Sequence, residues 1–313
     1  MSITLAIGIP VYNNVIQFKE CLKSLEIQSN LNFNVYIYDD FSSDDYTFFT
    51  KEKYKFTIKY TLNVKNIGAL ANMQLAYNSL KDKYNFVMIM HEDDLLHYQF
   101  IENVYKALLE NKNLAFLMST FISFDKTNDL KKYTDLNYHT TNTLLINKRE
   151  LSLLFLQQKA LAFGSVIYNT NIYKFMQLNL KEYEEFADRP FLLENLNYFS
   201  KVALFNEPLY YYRSHGLTDN RWKYLLPINV FNLLNYYKNI IVKSNFISNK
   251  VFKKYATSFI IESYTNLSLT GKNQSYTFYL IGALKHNFIS IKYALLKISI
   301  INKISTNLKK LIN

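Results

Sequence analysis

The chain contains little glycine, proline or cysteine, and each shortage excludes a class of protein. Its 313 residues include 6 glycines and 4 prolines, which are too few for a turn-rich all-β fold. The single cysteine, Cys21, cannot form a disulfide framework or a thiolate metal site. This cysteine usage favours a reducing compartment, and we expect a cytoplasmic protein.

Long hydrophobic runs are also missing. No stretch approaches the ~20 apolar residues of a membrane span, and the N-terminal "MSITLAIGIPVYNN" lacks the charged region that begins a signal peptide. Apolar and aromatic residues are nevertheless plentiful, at 49% and 17% of the chain. That composition supports a folded core and argues against long disordered stretches.

Positive charge is concentrated in one part of the chain. The net charge is +11, but residues 221–313 carry 14 Lys and Arg against one acid, Glu262, so residues 1–220 are near −2. A basic region of this kind can meet anionic lipid, nucleic acid or an acidic glycan. It can equally be a solvated helical surface, and the sequence leaves these alternatives open.

Residues 1–220 alternate strand-like and helix-like segments. This rhythm predicts an α/β fold with a mostly parallel central sheet flanked by helices. From residue 221 onward, apolar residues recur at helical spacing with lysines between them. We therefore predict a catalytic domain at residues 1–220 and a basic, mainly helical region at residues 221–313. The predicted strands are residues 3–9, 34–38, 57–62, 86–90 and 114–124, and the predicted helices are 15–28, 68–80 and 98–111.

Polar clusters follow the first four predicted strands. They are "PVYNN", "DDFSSDD", "NVKNIG" and "HEDD", in chain order. Ligands of open α/β sheets bind at the carboxyl ends of the strands. Any one cluster could be an ordinary turn, but four at successive strand ends predict a binding site.

The last cluster places three carboxylates in a row at the end of a buried strand. Carboxylates are hard oxygen ligands that suit Mg²⁺ or Mn²⁺, and these ions neutralise charge on a leaving diphosphate. Asp94 could instead cap the helix that follows it. We interpret Glu92 as a bystander that lies on the opposite side of the chain from Asp93 and Asp94.

Other side chains could bind a nucleotide or take up a proton. Asp39 and Asp40 can accept hydrogen bonds from a base or a ribose, and Tyr12 can stack on a planar base. An attacking acceptor hydroxyl needs a general base, for which "KEYEEFADRPFLL" offers several acids, Asp188 among them. Because Pro190 suits a first helical turn, Asp188 could also be only a helix cap.

Taken together, "IGIPVYNN", "VYIYDDFSSDD", "NVKNIGALANMQLAYN", "FVMIMHEDDLL", "FADRPFLL" and "YYRSHGLT" resemble the family 2 glycosyltransferases of GT-A fold. The resemblance covers roughly residues 1–220. It implies an inverting transferase that moves a sugar from a nucleotide-sugar donor to a hydroxyl group of a glycan or glycolipid. The expected donor is a UDP-sugar. Bacterial surface polysaccharides such as capsule, lipooligosaccharide and O-antigen are the expected products.

The resemblance also implies roles for individual residues. Asp188 corresponds to the family's general base, and Mn²⁺ or Mg²⁺ is the expected cofactor. The expected metal ligands are Asp94, Asp93 and His215. The expected contacts to the nucleotide-sugar are Pro10, Tyr12, Asp40, Asn66, Gly68 and Asp93.

Three departures from the family pattern stand out. His91 occupies the place of the first acid of the family's D-x-D-D motif, and Phe41 replaces the usual glycine of "DDGS". Ala187 precedes Asp188 where glutamate is common, which leaves Glu184 and Glu185 as rivals for the general base.

Two other functions deserve comparison. A metal-dependent nucleotidyltransferase would share the sheet and the acids, but it would need a glycine-rich basic loop after the first strand, which "IPVYNN" does not supply. A nucleic-acid-binding protein would rest on the basic region alone, without a recognition module. We therefore expect no nucleic acid partner. The basic helices can contact the anionic inner face of the cell membrane, or they can simply pack on their neighbours.

Overall fold

The computed structural model describes most of the chain. The described residues are 3–51, 53–111, 113–130, 143–157, 161–178, 187–197, 199–214, 226–242, 247–269, 276–286 and 288.

Strands β1 to β4 form the first half of a central sheet and run parallel to one another. Their order across the sheet is β3-β2-β1-β4, with Ile7 of β1 opposite both Val35 and Met88. Because parallel neighbours end on the same side, the loops that follow these strands leave from one edge. The bounds are β1 Leu5–Val11, α1 Val15–Glu26, β2 Asn34–Asp39, β3 Thr57–Leu62, α2 Ala69–Leu80 and β4 Phe86–Ile89.

The second half of the sheet contains both strand directions. β8 lies antiparallel between β4 and β6, β9 runs parallel to β6, and the short β5 and β7 pair antiparallel with β9. Since the longest pairings are the parallel ones, the predicted mostly parallel sheet is confirmed. The bounds are β5 Leu95–Leu96, α3 Phe100–Glu110, β6 Leu114–Phe124, β7 Thr143–Asn147, β8 Ile167–Asn169 and β9 Lys201–Arg213.

The core forms because the central strands are apolar on both faces, as strands covered on both sides must be. In β1 every residue but Pro10 is buried. α1 buries Phe18, Cys21, Leu22 and Leu25 on one face, as its helical spacing predicts. β3 lies at one edge of the sheet, and four of its six residues are exposed.

The chain divides into two compact units. The first comprises residues 1–150, 160–179 and 191–219, which include the whole sheet, and the second comprises residues 151–159, 180–190 and 220–313. The assignment of a catalytic domain to residues 1–220 stays a prediction. The other α-helices among the described residues are α4 Lys148–Leu156, α5 Asp188–Glu194, α6 Pro227–Tyr237, α7 Asn249–Leu269 and α8 Tyr276–Lys285.

The described part of the second unit is helical, in agreement with the predicted C-terminal helices. Aromatic side chains hold it together, for example Phe231 stacked on His286 with ring centroids 5.5 Å apart. Across the described residues, no helix has both the length and the apolar character needed to cross a bilayer.

Candidate active site

The four loops that follow β1, β2, β3 and β4 are joined by hydrogen bonds at one edge of the sheet. The Tyr12 amide donates to Glu92 (2.9 Å), the Ser43 amide donates to Asn13 Oδ1 (2.7 Å), and the Gly68 amide donates to Asp40 (2.8 Å). Each bond links loops from two different strands. The prediction that the polar clusters share one edge is therefore confirmed.

Asp40 holds the loop that precedes α2. Its carboxylate is 2% exposed and accepts hydrogen bonds from the Ile67 and Gly68 amides (2.8 Å each) and from the Asn63 side chain (2.9 Å). Gly68 has φ +89°, a conformation that favours glycine. Asp40 thus organises the loop between β3 and α2, and its predicted contact with a base stays a prediction.

Phe41 adopts a left-handed backbone conformation, with φ 64°. Asp39, two residues earlier, accepts hydrogen bonds from the Ser42 amide (2.8 Å) and the Tyr60 hydroxyl (2.6 Å), which fix the turn. Glycine is the residue best suited to this conformation, so the turn accounts for the glycine that is usual at this position. The Phe41 ring is 56% exposed.

The remaining residues predicted to bind a nucleotide lie at the same edge. Pro10 is partly buried in β1, and Tyr12, which follows β1, has an exposed fraction of 39%. Asn66 is exposed, and its side-chain oxygen accepts a hydrogen bond of 3.1 Å from the Gly68 amide. The structure thus brings these residues to one rim, while their contacts with a donor stay predictions.

Glu92 is not among the possible metal ligands in the turn after β4, as interpreted, but it has a structural role that the sequence analysis missed. Its carboxylate accepts hydrogen bonds from the Tyr12 amide (2.9 Å) and the Tyr46 hydroxyl (2.7 Å), so it ties the end of β4 to the loops after β1 and β2. Burial raises the pKa of Glu92 to about 7, although both hydrogen bonds act to lower it. These partners are 80 and 46 residues away, and no local pattern reveals them.

His91, Asp93 and Asp94 form a cluster in the turn after β4. One ligand atom from each can be chosen so that all three lie within 4.8 Å of one another, and His91 Nδ1 is 3.3 Å from Asp94 Oδ2. Burial and, next, the Asp94 carboxylate raise the pKa of Asp93, so a bound cation would relieve both effects. The two carboxylates suit Mn²⁺ or Mg²⁺, so the residues fit the expected cofactor.

Asp94 is fixed by two donors from β9. The Tyr210 hydroxyl donates to Oδ2 (2.7 Å) and the Arg213 amide donates to Oδ1 (2.8 Å), and the carboxylate is 1% exposed. Each carboxylate oxygen has a second lone pair, so these bonds leave capacity for an ion. Asp93 and His91, by contrast, are partly exposed.

Arg213 is a site residue that the sequence analysis missed. Its Nε donates to the Asp93 carbonyl (2.8 Å), its Nη2 donates to Glu20, and its guanidinium lies 4.5 Å from the centroid of Phe124. The available signal was an arginine after a run of tyrosines at the end of a strand, in "YYRSHG".

Gly164 makes the arrangement of Tyr210 beside His91 sterically possible. A Cβ at this position would lie 2.2 Å from the Tyr210 hydroxyl oxygen and 3.5 Å from Cγ of His91. Any larger residue would therefore push the hydroxyl away from Asp94. "FGSV" thus has a packing role at the metal cluster that the sequence pattern did not indicate.

Asp188 lies in the second unit, at the first position of α5. Its Oδ1 accepts a hydrogen bond of 2.7 Å from the Arg189 amide, and it is partly exposed. Its role as general base stays a prediction, as does the alternative that it only begins the helix. His215, Glu184 and Glu185 lie outside the described residues.

Sequence comparisons connect this site to known proteins. The model of Glycosyl transferase family 2 matches residues 6–174, more than half of the chain. Uncharacterised glycosyltransferases of Rickettsia conorii and Rickettsia felis are each 34% identical to this chain, over 135 and 131 residues. The matched regions cover 42% and 41% of this chain but 21% and 20% of those relatives, so the chain matches about a fifth of their length.

Solved structures show the same fold at low sequence identity. S. aureus TarS, residues 1–349 in complex with UDP-GlcNAc, gives a TM-score of 0.54 at 14% identity, covering 88% of this chain and 93% of that one. A mannosyltransferase of Pyrobaculum calidifontis in complex with GDP-Man and Mn²⁺ gives 0.51 at 10% identity, covering 96% and 80%. The predicted GT-A fold is confirmed.

Proposed function

This chain belongs to glycosyl transferase family 2, and from that premise we propose that it transfers a sugar from a nucleotide-sugar donor to an acceptor hydroxyl with inversion. The observation that carries the proposal is the meeting of four strand-end loops at one edge of the sheet, where the turn after β4 also holds the cluster of His91, Asp93 and Asp94. Membership of a glycosyltransferase family favours this reaction over the nucleotidyltransferase and nucleic-acid-binding alternatives.

The proposed donor is a UDP-sugar. TarS binds UDP-GlcNAc and the Pyrobaculum mannosyltransferase binds GDP-Man with Mn²⁺, as their structures record. Tyr12 is exposed after the end of β1, and an exposed aromatic ring there would stack on a base. The uracil preference rests on the resemblance of "YIYDDFSSDD" to the family motif.

The cluster of His91, Asp93 and Asp94, called the metal corner below, has a defined part in the proposed reaction. A divalent cation held by Asp93, Asp94 and His91 would neutralise negative charge that develops on the leaving nucleoside diphosphate. Asp94 keeps its place because Tyr210 and the Arg213 amide hold both of its oxygens. The Asp94 carboxylate is therefore held in place before the donor binds, which lowers the cost of organising it during the reaction.

Inversion requires one in-line displacement at the anomeric carbon. We assign the general base to Asp188, which would accept the proton of the acceptor hydroxyl as the bond between the acceptor oxygen and the anomeric carbon forms. The bond from the anomeric carbon to the diphosphate oxygen breaks in the same step. An α-linked donor then gives a β-linked product.

The proposed acceptor is a glycan or glycolipid of a bacterial surface polysaccharide. The basic region at residues 221–313 would place the enzyme at the anionic inner face of the membrane, where such acceptors are assembled. We therefore propose a cytoplasmic enzyme with peripheral membrane contact. Binding to anionic but not neutral lipid vesicles, lost at high salt, is the expected behaviour.

Release of UDP from UDP-sugars, measured with Mn²⁺ and a panel of glycan and glycolipid acceptors, tests the proposed function. We expect acceptor-dependent UDP release in the wild type, and loss of that release with retained donor binding in Asp188→Asn. Full activity of Asp188→Asn together with an inactive Glu185→Gln would transfer the base role to Glu185.

A further inference from the structure

We propose that the end of α8 and the start of α7 form a docking surface for anionic lipid bilayers, in which lysines bind the headgroups and exposed aliphatic side chains enter the bilayer interface. The inference rests on the proposed function, because it concerns how an enzyme for glycolipid acceptors reaches the membrane. It goes further by naming the surface and by adding apolar insertion to the electrostatic contact. The lysines of the docking surface are Lys238, Lys250, Lys253, Lys254 and Lys285.

Phe288 joins the end of α8 to the start of α7. Its backbone amide donates to the Ala283 carbonyl (2.9 Å), which closes a turn at the end of α8. Its ring centroid lies 6.2 Å from that of Phe252 in α7 and 5.8 Å from Nζ of Lys238, which follows α6. Lys238 Nζ also donates to the His286 carbonyl (3.4 Å). Three segments of the second unit therefore meet at the Phe288 ring, and each of them brings lysine to it.

The lysines of the docking surface meet little opposing charge from their own region. Residues 221–313 include 14 Lys and Arg and one acid, Glu262. Glu262 lies far beyond Phe252 in α7, by about 15 Å along the helix axis, which exceeds the screening length of about 8 Å at physiological ionic strength. The surface is therefore complementary to an anionic bilayer. Its exposed lysines are Lys250, Lys254 and Lys285.

Exposed aliphatic side chains accompany the lysines. On α8, Ile281 has an exposed fraction of 60% and Leu284 one of 37%, and Lys285 is exposed beside them. Spacings of three and four residues put these three side chains on one face of the helix. At the start of α7, Val251 follows the exposed Lys250 and is 37% exposed. Apolar and basic side chains together on a helix surface are typical of an interfacial membrane contact.

A bilayer fits the docking surface better than a nucleic acid does. Lysines alone attract both kinds of polyanion. Bases would stack on exposed aromatic rings, whereas the exposed apolar side chains here are the aliphatic Ile281, Leu284 and Val251. Aliphatic side chains gain free energy when they leave water for the acyl boundary of a bilayer, and they gain little against phosphates. We therefore assign the surface to lipid.

The test measures binding of the full chain to sedimented lipid vesicles. The vesicles contain phosphatidylcholine alone or with about one-third phosphatidylglycerol, which supplies the negative surface charge. Lys285→Glu and Ile281→Ser probe the two components of the docking surface. Lys106→Glu and Leu109→Ser are their matched controls, since both residues are exposed on one face of α3 in the first unit. Thermal unfolding confirms that each variant is folded.

We expect the wild type to bind the anionic vesicles and not the neutral ones. Lys285→Glu should reduce the partition coefficient on anionic vesicles by about tenfold or more, because it reverses one charge near the surface. Ile281→Ser should reduce it by about three- to tenfold, and both control variants should match the wild type. Absence of wild-type binding to anionic vesicles, or unchanged binding in Lys285→Glu or Ile281→Ser, would overturn the inference. Binding to duplex DNA in place of vesicles would overturn it in favour of a nucleic acid.

Failure of this inference is separable from failure of the proposed function. Calorimetry of the same samples without lipid measures UDP binding in the presence of Mn²⁺ and so reports the nucleotide site directly. UDP binding without vesicle binding refutes the inference alone. Vesicle binding that depends on Lys285 and Ile281, in a protein that does not bind UDP, refutes the proposed function and supports the docking surface.

Discussion

The backbone amide of Arg213 donates a 2.8 Å hydrogen bond to Oδ1 of Asp94, across 119 residues of sequence. The Arg213 side chain returns to the same turn, where Nε donates to the carbonyl of Asp93 (2.8 Å). The end of β9 therefore shapes the acidic turn after β4. The proposed metal site at this turn is therefore supported by residues of β9.

Replacement of Arg213 should weaken metal binding without touching a metal ligand. Arg213→Ala removes the bond to the Asp93 carbonyl and leaves Glu20 without its partner. We expect Mn²⁺ affinity to fall by about 10–100-fold, as when other supports of metal ligands are removed. Manganese titration by EPR measures the loss.

Arg213→Lys and Arg149→Ala are the controls for that prediction. Lysine keeps a charge for Glu20 but lacks the planar fork, so its effect should lie between wild type and alanine. Arg149 is exposed in the same unit, and its removal should leave Mn²⁺ affinity unchanged. Equal affinity in Arg213→Ala and wild type would show that the turn holds its shape without β9.

Gly164→Ala should also disturb the turn after β4, because it displaces the Tyr210 hydroxyl that holds Asp94. The added Cβ would meet the Tyr210 hydroxyl oxygen at 2.2 Å, so we expect a cost of about 1–3 kcal/mol for overpacking. Chemical denaturation measures the free energy of unfolding.

A double mutant cycle checks the cause of that cost. Tyr210→Phe removes the hydroxyl, which both breaks its bond to Asp94 and clears the space that the alanine methyl needs. The two substitutions together should therefore cost less than their sum. Strict additivity would mean that Gly164 matters for another reason.

Local patterns were sufficient to predict most of the first unit. The predicted bounds of β3 and β6 agree with the structure, and the predicted α1 ends two residues beyond the observed Glu26. Short connections and clear periodicity explain this agreement, since each element depends on its own residues. The shared edge of the four loops followed from the parallel order of β1 to β4.

Partners that are distant in sequence were not predictable. The structural role of Glu92 was not predicted, because its hydrogen-bond donors Tyr12 and Tyr46 come from other loops. Arg213 and Gly164 lie beside the metal corner because β9 and β8 pair with other strands of the sheet. One sequence records no such pairings, so the supports of the site were missed although the acids themselves were found.

Phe41 should be an unusual position where glycine stabilises the protein relative to alanine. Its φ of 64° costs a residue with a Cβ about 1–2 kcal/mol. We expect Phe41→Gly to exceed Phe41→Ala in free energy of unfolding by about 1 kcal/mol. Thermal or urea unfolding of the two variants measures the difference.

Leu75 supplies the matched control for Phe41. It is 38% exposed in the middle of α2, where glycine is worse than alanine by about 1 kcal/mol. The sign of the glycine–alanine difference should therefore reverse between the two positions. The same sign at both would contradict a strained turn at Phe41.

Glu92 should make the metal-free protein less stable as the pH rises. Its pKa is about 7 in the folded state and about 4.3 in the unfolded chain, so the folded state binds the extra proton between these values. Stability contributed by this group is present at low pH and is lost as the pH rises towards 7, by roughly 1–3 kcal/mol. Urea unfolding at pH 5 and pH 7.5 measures it.

Glu92→Gln supplies the comparison for the pH prediction. Glutamine does not titrate, so the difference in unfolding free energy between pH 5 and pH 7.5 should shrink in this variant. An unchanged difference would assign the pH dependence to other groups. Both proteins must be measured without metal, because a bound cation lowers the pKa of nearby carboxylates.

The most direct test of the proposed function is thermal unfolding of the wild type with nucleotides and nucleotide-sugars, with and without Mn²⁺. Ligands that bind the folded state raise the unfolding temperature. We predict stabilisation by UDP and UDP-sugars that requires Mn²⁺ and is lost in Asp93→Asn. No stabilisation by any UDP, GDP, TDP or CMP species, with Mn²⁺ present, would contradict the assignment of this edge of the sheet as a nucleotide-sugar site.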